Sequence, residues 1–319
     1  MKSLIIGAAG FAGAYLIRHL QQAAGHTVVA TKMPQEQIVI PDRKEEQTAV
    51  YDLDILEPDA VERLFQKVRP DYVFHLAAQS SVATAWKMPG MTVDVNIRGA
   101  VNVLEAFRSL NHRARMVLAG SGEEYGPVSS EDIPIQEDCR MNPGNIYAAT
   151  KACQNMLGSI YARAYGLEVV MVRAFNHVGP NQSPIFVVSD FCRQVAAIEA
   201  GRQEAVIRVG NLNVRRDFTD VRDVVRAYEM LAACGRAGET YNVGSGRAVR
   251  IADILQMILK KSHADIRVEN DPSKMRPTDL PVIEADIRKL QKTTGWQPLI
   301  RLEQTIEETL DYWRNRDAL

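Results

Sequence analysis

Tyr147 and Lys151 stand four residues apart within Ile146–Tyr165, a stretch whose apolar spacing predicts a helix, so phenol and ammonium share one face of it. A tyrosine ionises near pH ~10 and exchanges protons poorly at neutral pH, and a neighbouring cation favours its phenolate. Ser121 lies just past the apolar run Met116–Ala119, predicted as a strand, at the kind of strand end where doubly wound sheets collect ligands. Its hydroxyl suits a hydrogen bond to a substrate carbonyl. Together these groups can polarise and protonate a carbonyl oxygen. A Tyr-x-x-x-Lys pair alone is common and is usually a solvated pair; what singles this one out is the order in which glycine turn, strand-end hydroxyl and Tyr/Lys helix follow one another.

The glycine turn is Gly7-Ala8-Ala9-Gly10-Phe11-Ala12-Gly13, between a predicted strand Ser3–Ile6 and a predicted helix Phe11–Gln22. Backbone N–H groups and the positive end of the helix there face a pyrophosphate, and glycine permits the tight turn and the close approach. Gly7, Gly10, Phe11, Ala12 and Gly13 are therefore cofactor candidates. Asp54, with Ile55, follows the short strand Ala49–Tyr51 and can accept a hydrogen bond from an adenine amino group. His75-Leu76-Ala77-Ala78 ends the strand Tyr72–Leu76 with small residues that leave room for a cofactor, continuing into Gln79 and Ser80. The second strand ends in Ala30-Thr31-Lys32, with no acid to hold a ribose 2′-OH; Lys32 can instead pair with a 2′-phosphate, which favours NADP(H) and leaves NAD(H) possible.

The elements that must position these groups alternate short apolar runs with helical periods, the pattern of a parallel sheet covered on both faces. Pro58–Val68 and about Met91 to Leu110 complete the predicted helices of the first half, and Glu168–Arg173 its last strand. Beyond it, Asn176 to Pro184 carries too much Gly, Pro and Asn for a regular element and is predicted as a functional loop. A helix over Val187–Ala200, a strand Val206–Val209, the segment Arg216–Val224 leading into a helix that ends near Cys234, a strand Thr240–Val243, and helices Ile251–Lys261 and Leu302–Arg314 follow. The apolar stretch Leu4–Leu16 is interrupted by glycines and fits a buried strand entering a helix better than a signal peptide.

Of the 319 residues, 46% are hydrophobic and 24% charged, as in ordinary soluble proteins, and the formal net charge of -1 provides no field for nucleic acid or an anionic membrane surface. Any anionic ligand must be held by local groups. Cys139, Cys153, Cys192 and Cys234 have no CxxC or metal-ligand spacing, which predicts buried reduced thiols, no metal site and a cytoplasmic setting.

The glycine turn, Asp54, His75–Ala78, Asn96, Ser121, Tyr147, Lys151 and Arg216-Asp217-Phe218 together resemble the extended short-chain dehydrogenases/reductases that act on nucleotide sugars, the NAD-dependent epimerase/dehydratase family, over essentially the whole chain. The resemblance implies an α/β, Rossmann-type doubly wound parallel sheet with a smaller C-terminal α/β substrate-binding lobe. Residues 1–173 plus about 220–247 would form the dinucleotide-binding domain, and about 174–219 plus 248–319 the nucleotide-sugar lobe. It also implies a homodimer built on the two long helices, and that Asn96 supports the active-site helix, although a surface asparagine fits the sequence equally well.

Within this class the chain is most similar to the GDP-4-keto-6-deoxy-D-mannose reductases and their relatives, the GDP-mannose 4,6-dehydratases. Gly120-Ser121-Gly122-Glu123-Glu124-Tyr125-Gly126 retains Glu123, which matches the dehydratase base, but Gly122 lacks the neighbouring polar side chain. Dehydration needs a proton removed at C5 and one delivered to the C6 hydroxyl; reduction needs neither. Asn176-His177-Val178-Gly179-Pro180 resembles the reductases, with Asn176 near the sugar and His177 near the cofactor. In Met275-Arg276-Pro277-Thr278-Asp279 the resemblance places Arg276 on the diphosphate and Asp279 on guanosine, with Arg216 as a second diphosphate clamp and Asn211 near the same nucleotide. Ser80 and Ser121 would touch the sugar. The expected reaction is hydride transfer from NADPH to C4 of a GDP-linked 4-keto-6-deoxy sugar, with Tyr147 donating the proton, Ser121 polarising the oxygen and Lys151 gripping the cofactor. GDP-D-rhamnose is the expected product. A 4,6-dehydratase using Glu123, an epimerase, and a dinucleotide-sensing protein of the same fold remain as alternatives.

Overall fold

A computed structural model describes residues 1–22, 24–40, 48–274 and 280–316. Its first half runs β1 (Lys2–Ile6), α1 (Phe11–Gln22), β2 (Thr27–Lys32), β3 (Ala49–Asp52), α2 (Pro58–Val68), β4 (Tyr72–His75), α3 (Val82–Lys87), α4 (Pro89–Val93), α5 (Gly99–Arg108), β5 (Arg115–Ser121), α6 (Ile146–Tyr165) and β6 (Glu168–Ala174). The second half adds β7 (Asn176–Val178), α7 (Val187–Glu199), β8 (Val206–Val209), β9 (Arg215–Asp220), α8 (Val221–Cys234), β10 (Thr240–Val243), β11 (Ala248–Arg250), α9 (Ile251–Leu259), β12 (Arg267–Asn270), β13 (Val282–Ile283), α10 (Arg288–Thr294) and α11 (Leu302–Arg316).

The main sheet has seven parallel strands in the order β3-β2-β1-β4-β5-β6-β10. This is the Rossmann-type arrangement. Successive strand residues feed opposite cores because side chains alternate across a sheet. Ile5, Val117, Val170 and Val172 meet Tyr15, Leu16, Val224 and Tyr228 of α1 and α8 on one face. Leu4, Ile6, Met116, Leu118 and Met171 meet Phe65, Val103, Leu104 and Ala162 of α2, α5 and α6 on the other. The strand order reverses between β1 and β4, which opens a crevice at their carboxyl ends.

A second, smaller sheet centres on β9, flanked by β11, β13 and β7; β8 and β12 form a separate parallel pair. Its core joins Val178, Phe191, Val209, Ile254, Leu310 and Trp313. The chain visits this region between β6 and β10, then returns to the main sheet.

Several expectations shift. The Gly/Pro/Asn stretch after Ala174 contains the strand β7, whose Asn176–Val178 pair with Phe218–Asp220 of β9. The predicted helix from Met91 to Leu110 is α4 and α5 joined by a π-helical turn over Asp94–Arg98. β5 extends to Ser121, so the serine is the last residue of the strand rather than just past it. All four cysteines are free, yet only Cys192 is buried, and Cys234 at the end of α8 is exposed. Among the described residues no helix is long and apolar enough to cross a membrane.

Candidate functional site

The glycine turn leaves β1 at the crevice. Gly7 has φ +86°, a left-handed conformation that side chains rarely adopt, and a Cβ there would lie 2.6 Å from the Ala77 backbone. The N–H groups of Leu76 and Ala77 both donate to the Ile6 carbonyl (2.9 Å each), and Ala8 N–H donates to the Thr31 carbonyl (2.8 Å). The ends of β1, β2 and β4 are thereby pinned around the first turn of α1, whose unpaired N–H groups suit a pyrophosphate. The cradle fits a dinucleotide. Phe11 stacks on His177 (5.8 Å, 5°), and the Tyr15 hydroxyl donates to the Pro180 carbonyl at 2.9 Å, so α1 is tied to β7 and the segment after it.

The other cofactor candidates divide. Lys32 does not stand free: Nζ pairs with Asp52 Oδ1 at 2.6 Å and also reaches the Met33 and Pro34 carbonyls. Asp54 accepts from Leu56 N–H (2.9 Å), shaping the entry to α2, while Ile55 is buried against Gly99 of α5. The strand-end acid is Asp52, a position that the sequence reading passed over. His75 is 1% exposed and neither ring nitrogen has a hydrogen-bond partner; burial, then the nearby Lys151, pushes its pKa down to about 3, so it is neutral. Ala78 lies partly exposed between them and Gln79, and Ser80 is exposed.

Gln79 connects the crevice to the active-site helix. Its N–H donates to Asn96 Oδ1 (2.8 Å), and Asn96 Nδ2 donates to both the Gln79 carbonyl (3.0 Å) and Thr150 Oγ1 (2.9 Å). Asn96 is 1% exposed, which rules out a surface role. It sits in the π-turn, a local widening of the helix of the sort often found at functional sites.

Ser121, Tyr147 and Lys151 converge. Ser121 lies close enough to the Tyr147 hydroxyl to act on its ionisation. Ser121 Oγ also accepts from Glu123 N–H at 3.2 Å, capping the 3-10 turn Gly122–Tyr125. Asn145 caps α6 by accepting from Ala148 N–H (2.9 Å), and its Nδ2 donates to Glu123 Oε2 at 3.2 Å. Burial pushes the Tyr147 phenol well above its ordinary value; Ser121 opposes this, and the Glu123 and Glu124 charges add to it. Lys151 does not set that ionisation here: its ammonium donates to the Ala119 carbonyl (2.7 Å) and to Gln154 Oε1 (2.9 Å). Burial thus favours the protonated phenol. Burial lowers Lys151 itself to about 8, opposed by Glu124.

On the smaller sheet, Arg216 is buried, and its guanidinium donates to the Arg215 and Leu280 carbonyls at 2.9 and 2.7 Å. Asn211 Oδ1 accepts from Asn213 N–H (3.0 Å), Asn176 is exposed, and Arg276 and Asp279 lie outside the described residues. Asn145, Thr150 and Gln154 escaped the sequence reading, although an asparagine directly before a helical period is a capping signal.

Residues 4–309 match the model of the family described as GDP-mannose 4,6 dehydratase. The chain belongs to that family. It is 33% identical over 315 residues to a GDP-6-deoxy-D-mannose reductase of Pseudomonas aeruginosa, covering 99% of this chain and 98% of the relative. Among solved structures it is similar to RMD of Pseudomonas aeruginosa complexed with NADPH (TM-score 0.85, 31% identity, 99% and 100% coverage). A Thermus thermophilus UDP-glucose 4-epimerase in complex with NAD is also similar (TM-score 0.87, 28% identity, 98% and 99% coverage). Membership in the GDP-mannose 4,6-dehydratase family makes the chain a nucleotide-sugar enzyme dependent on a nicotinamide dinucleotide.

Proposed function

We propose that the chain reduces the C4 ketone of GDP-4-keto-6-deoxy-D-mannose to GDP-D-rhamnose, with NADPH preferred over NADH. The observation that carries this reading is the buried Tyr147 phenol, kept protonated, beside Ser121 at the carboxyl end of β5. A protonated phenol is the donor that ketone reduction requires. The similarity to a GDP-6-deoxy-D-mannose reductase along the full chain supports the choice of substrate.

A nicotinamide cofactor, when bound, supplies the hydride for C4. Ser121 donates its O–H to the ketone oxygen, and Tyr147 passes its phenolic proton to that oxygen as negative charge develops there. Lys151 holds positive charge beneath them. The main-sheet lobe takes the cofactor along Gly7–Gly13, with Asp54, Leu76, Ala77 and Ala78 around the rest of it. The smaller lobe takes the GDP sugar through Arg216 and Asn211, with Arg276 and Asp279 as further contacts. Lys32 binds the 2′-phosphate by exchanging its Asp52 partner.

Glu123 favours a second reading, 4,6-dehydration of GDP-mannose, because it is an acid beside Tyr147. Against it, the neighbouring position is Gly122, which offers no side chain, and a Cβ there would lie 3.2 Å from the Phe175 ring. Incubation with GDP-mannose alone separates the readings: an unchanged sugar supports the reductase, and a 4-keto product would establish the dehydratase.

The reading includes a homodimer. Met91 and Val93 of α4 and Met156, Ile160 and Tyr165 of α6 are exposed apolar side chains on helices that pack together, a face suited to a second copy. Light scattering that returns a monomer mass would remove this part.

A further inference from the structure

Directly behind Ser121 lies a carboxylate that the proposed reaction leaves unused. Glu124 is fully buried; Oε1 accepts the Ser121 N–H at 2.8 Å, and Oε2 accepts Arg173 Nε at 2.8 Å. Arg173 is buried as well, with its guanidinium over the Tyr125 ring (4.5 Å) and NH1 donating to the Glu137 carbonyl (3.1 Å). Space for the carboxylate exists only because residue 120 is glycine: a Cβ there would collide with Glu124 Oε1 and lie 2.6 Å from the Val172 carbonyl.

Such a pair is a costly way to fill a core. Desolvating two charges takes back most of their attraction, and apolar residues of similar volume often serve stability as well or better. A buried pair placed against a reacting group therefore asks for another explanation. Here the carboxylate closes a capping box on Ser121: the serine N–H is taken by Glu124, and Ser121 Oγ accepts from Glu123 N–H. The hydroxyl proton is left to donate toward Tyr147 or a substrate oxygen.

The charges around Glu124 show what else it does. Arg173 faces it from β6, and Lys151 and Tyr147 from α6; Tyr125 lies under the Arg173 guanidinium, which also reaches the Glu137 carbonyl, and Glu123 of the same turn acts on Tyr147. The Lys151 ammonium donates to the Ala119 carbonyl and Glu124 accepts the Ser121 N–H, two residues on along the same strand, so the two groups meet the end of β5 together. Burial pushes Glu124 up to about 7, opposed by Arg173, so it is charged where the dehydrated Lys151 titrates and opposes that loss of a proton. We propose that Glu124 is a positioning residue for ketone reduction, fixing the Ser121 hydroxyl from behind and standing as the counter-charge to Lys151. The proposal rests on the reductase reading for its catalytic part, and its electrostatic part stands without substrate.

Two variants test it. Glu124→Gln keeps the shape and loses the charge; Glu124→Asp keeps the charge and loses the reach to Ser121. In NADPH oxidation with the keto sugar, both are expected to lower kcat by about 10- to 100-fold. Only Glu124→Gln should move the alkaline limb of the rate profile, by about one pH unit toward acid. In parallel, the Lys151 side-chain carbon resonance, assigned with Lys151→Met, is titrated without substrate. It should follow a lower pKa in Glu124→Gln than in the wild type, where the ammonium ionises at about 8. An unmoved Lys151 titration with an unmoved rate limb would overturn the electrostatic role, and wild-type kcat in Glu124→Asp the positioning role. If Glu124→Gln fails to fold, Glu124→Asp carries the test: reduced kcat with an unmoved limb upholds the proposal. A wild-type protein that leaves the keto sugar untouched would instead count against the reductase reading, with the Lys151 titration still deciding the role of Glu124.

Discussion

Asn96 donates to the Thr150 hydroxyl at 2.9 Å, and that hydroxyl in turn donates to the carbonyl of Tyr147 at 2.8 Å, so the π-turn and the proton-donating tyrosine are two hydrogen bonds apart. The same asparagine grips both backbone groups of Gln79 at the mouth of the crevice. One buried amide thus sets the spacing between cofactor crevice and active-site helix. Asn96→Ala leaves the Gln79 N–H and carbonyl without their partner, at a cost of about 1–3 kcal/mol. Urea unfolding should show this loss, and kcat should fall with little change in the KM for NADPH.

Tyr147→Phe removes the proton donor and leaves the ring. Turnover is expected to fall by about 100- to 10,000-fold, while NADPH binding, followed by fluorescence, stays at the wild-type level. A variant that keeps its turnover would place proton donation elsewhere. A Tyr147→Phe protein indistinguishable from a wild type that itself never turns over would favour a dinucleotide sensor.

Lys151 links activity and stability to pH in opposite senses. Its pKa is lowered by burial to about 8 from an ordinary 10.5. Between these values the unfolded chain binds the proton that the folded chain has released, so stability rises with pH across the window. Measured against Lys151→Met, the wild type should gain roughly 3 kcal/mol between pH ~7 and ~10.5. The rate should fall over the lower part of the same window as the cation is lost. A rate that is flat through pH ~8 would mean that the charge on Lys151 is not needed.

Much of the frame was legible because it rests on local signals. α1, α2, α6, β8 and β10 begin and end where the apolar periods and the flanking glycines, prolines and polar residues place them. β7 was not legible: Asn176-His177-Val178 lacks any strand period and is extended only because β9 pairs with it. Ser121, Tyr147 and Lys151 were visible as types in the right order. Their neighbours were not, since Arg173 meets Glu124 from 49 residues away and Asp52 meets Lys32 from 20. No local pattern announces such partners. The sequence also placed Lys151 as the group that tunes Tyr147, whereas the fold turns its ammonium toward Ala119 and Gln154.

The Lys32–Asp52 pair is the point at which cofactor choice is tested. Asp52→Asn releases Lys32 for a 2′-phosphate and should lower the KM for NADPH relative to NADH. Lys32→Ala should raise the KM for NADPH by about 10-fold or more, as expected for losing a charge-assisted phosphate contact worth ~1.5–3 kcal/mol, and leave NADH unaffected. Equal effects on both cofactors would show that Lys32 serves the fold at the end of β2 and not the phosphate.

The most direct test of the account is NADPH oxidation by the wild-type protein supplied with GDP-4-keto-6-deoxy-D-mannose, followed by absorbance and with the product resolved by NMR. The account predicts one NADPH consumed per sugar reduced, GDP-D-rhamnose as product, and no oxidation with GDP-mannose in its place. An untouched keto sugar, or consumption that does not depend on it, would contradict the assignment of Ser121, Tyr147 and Lys151 to ketone reduction.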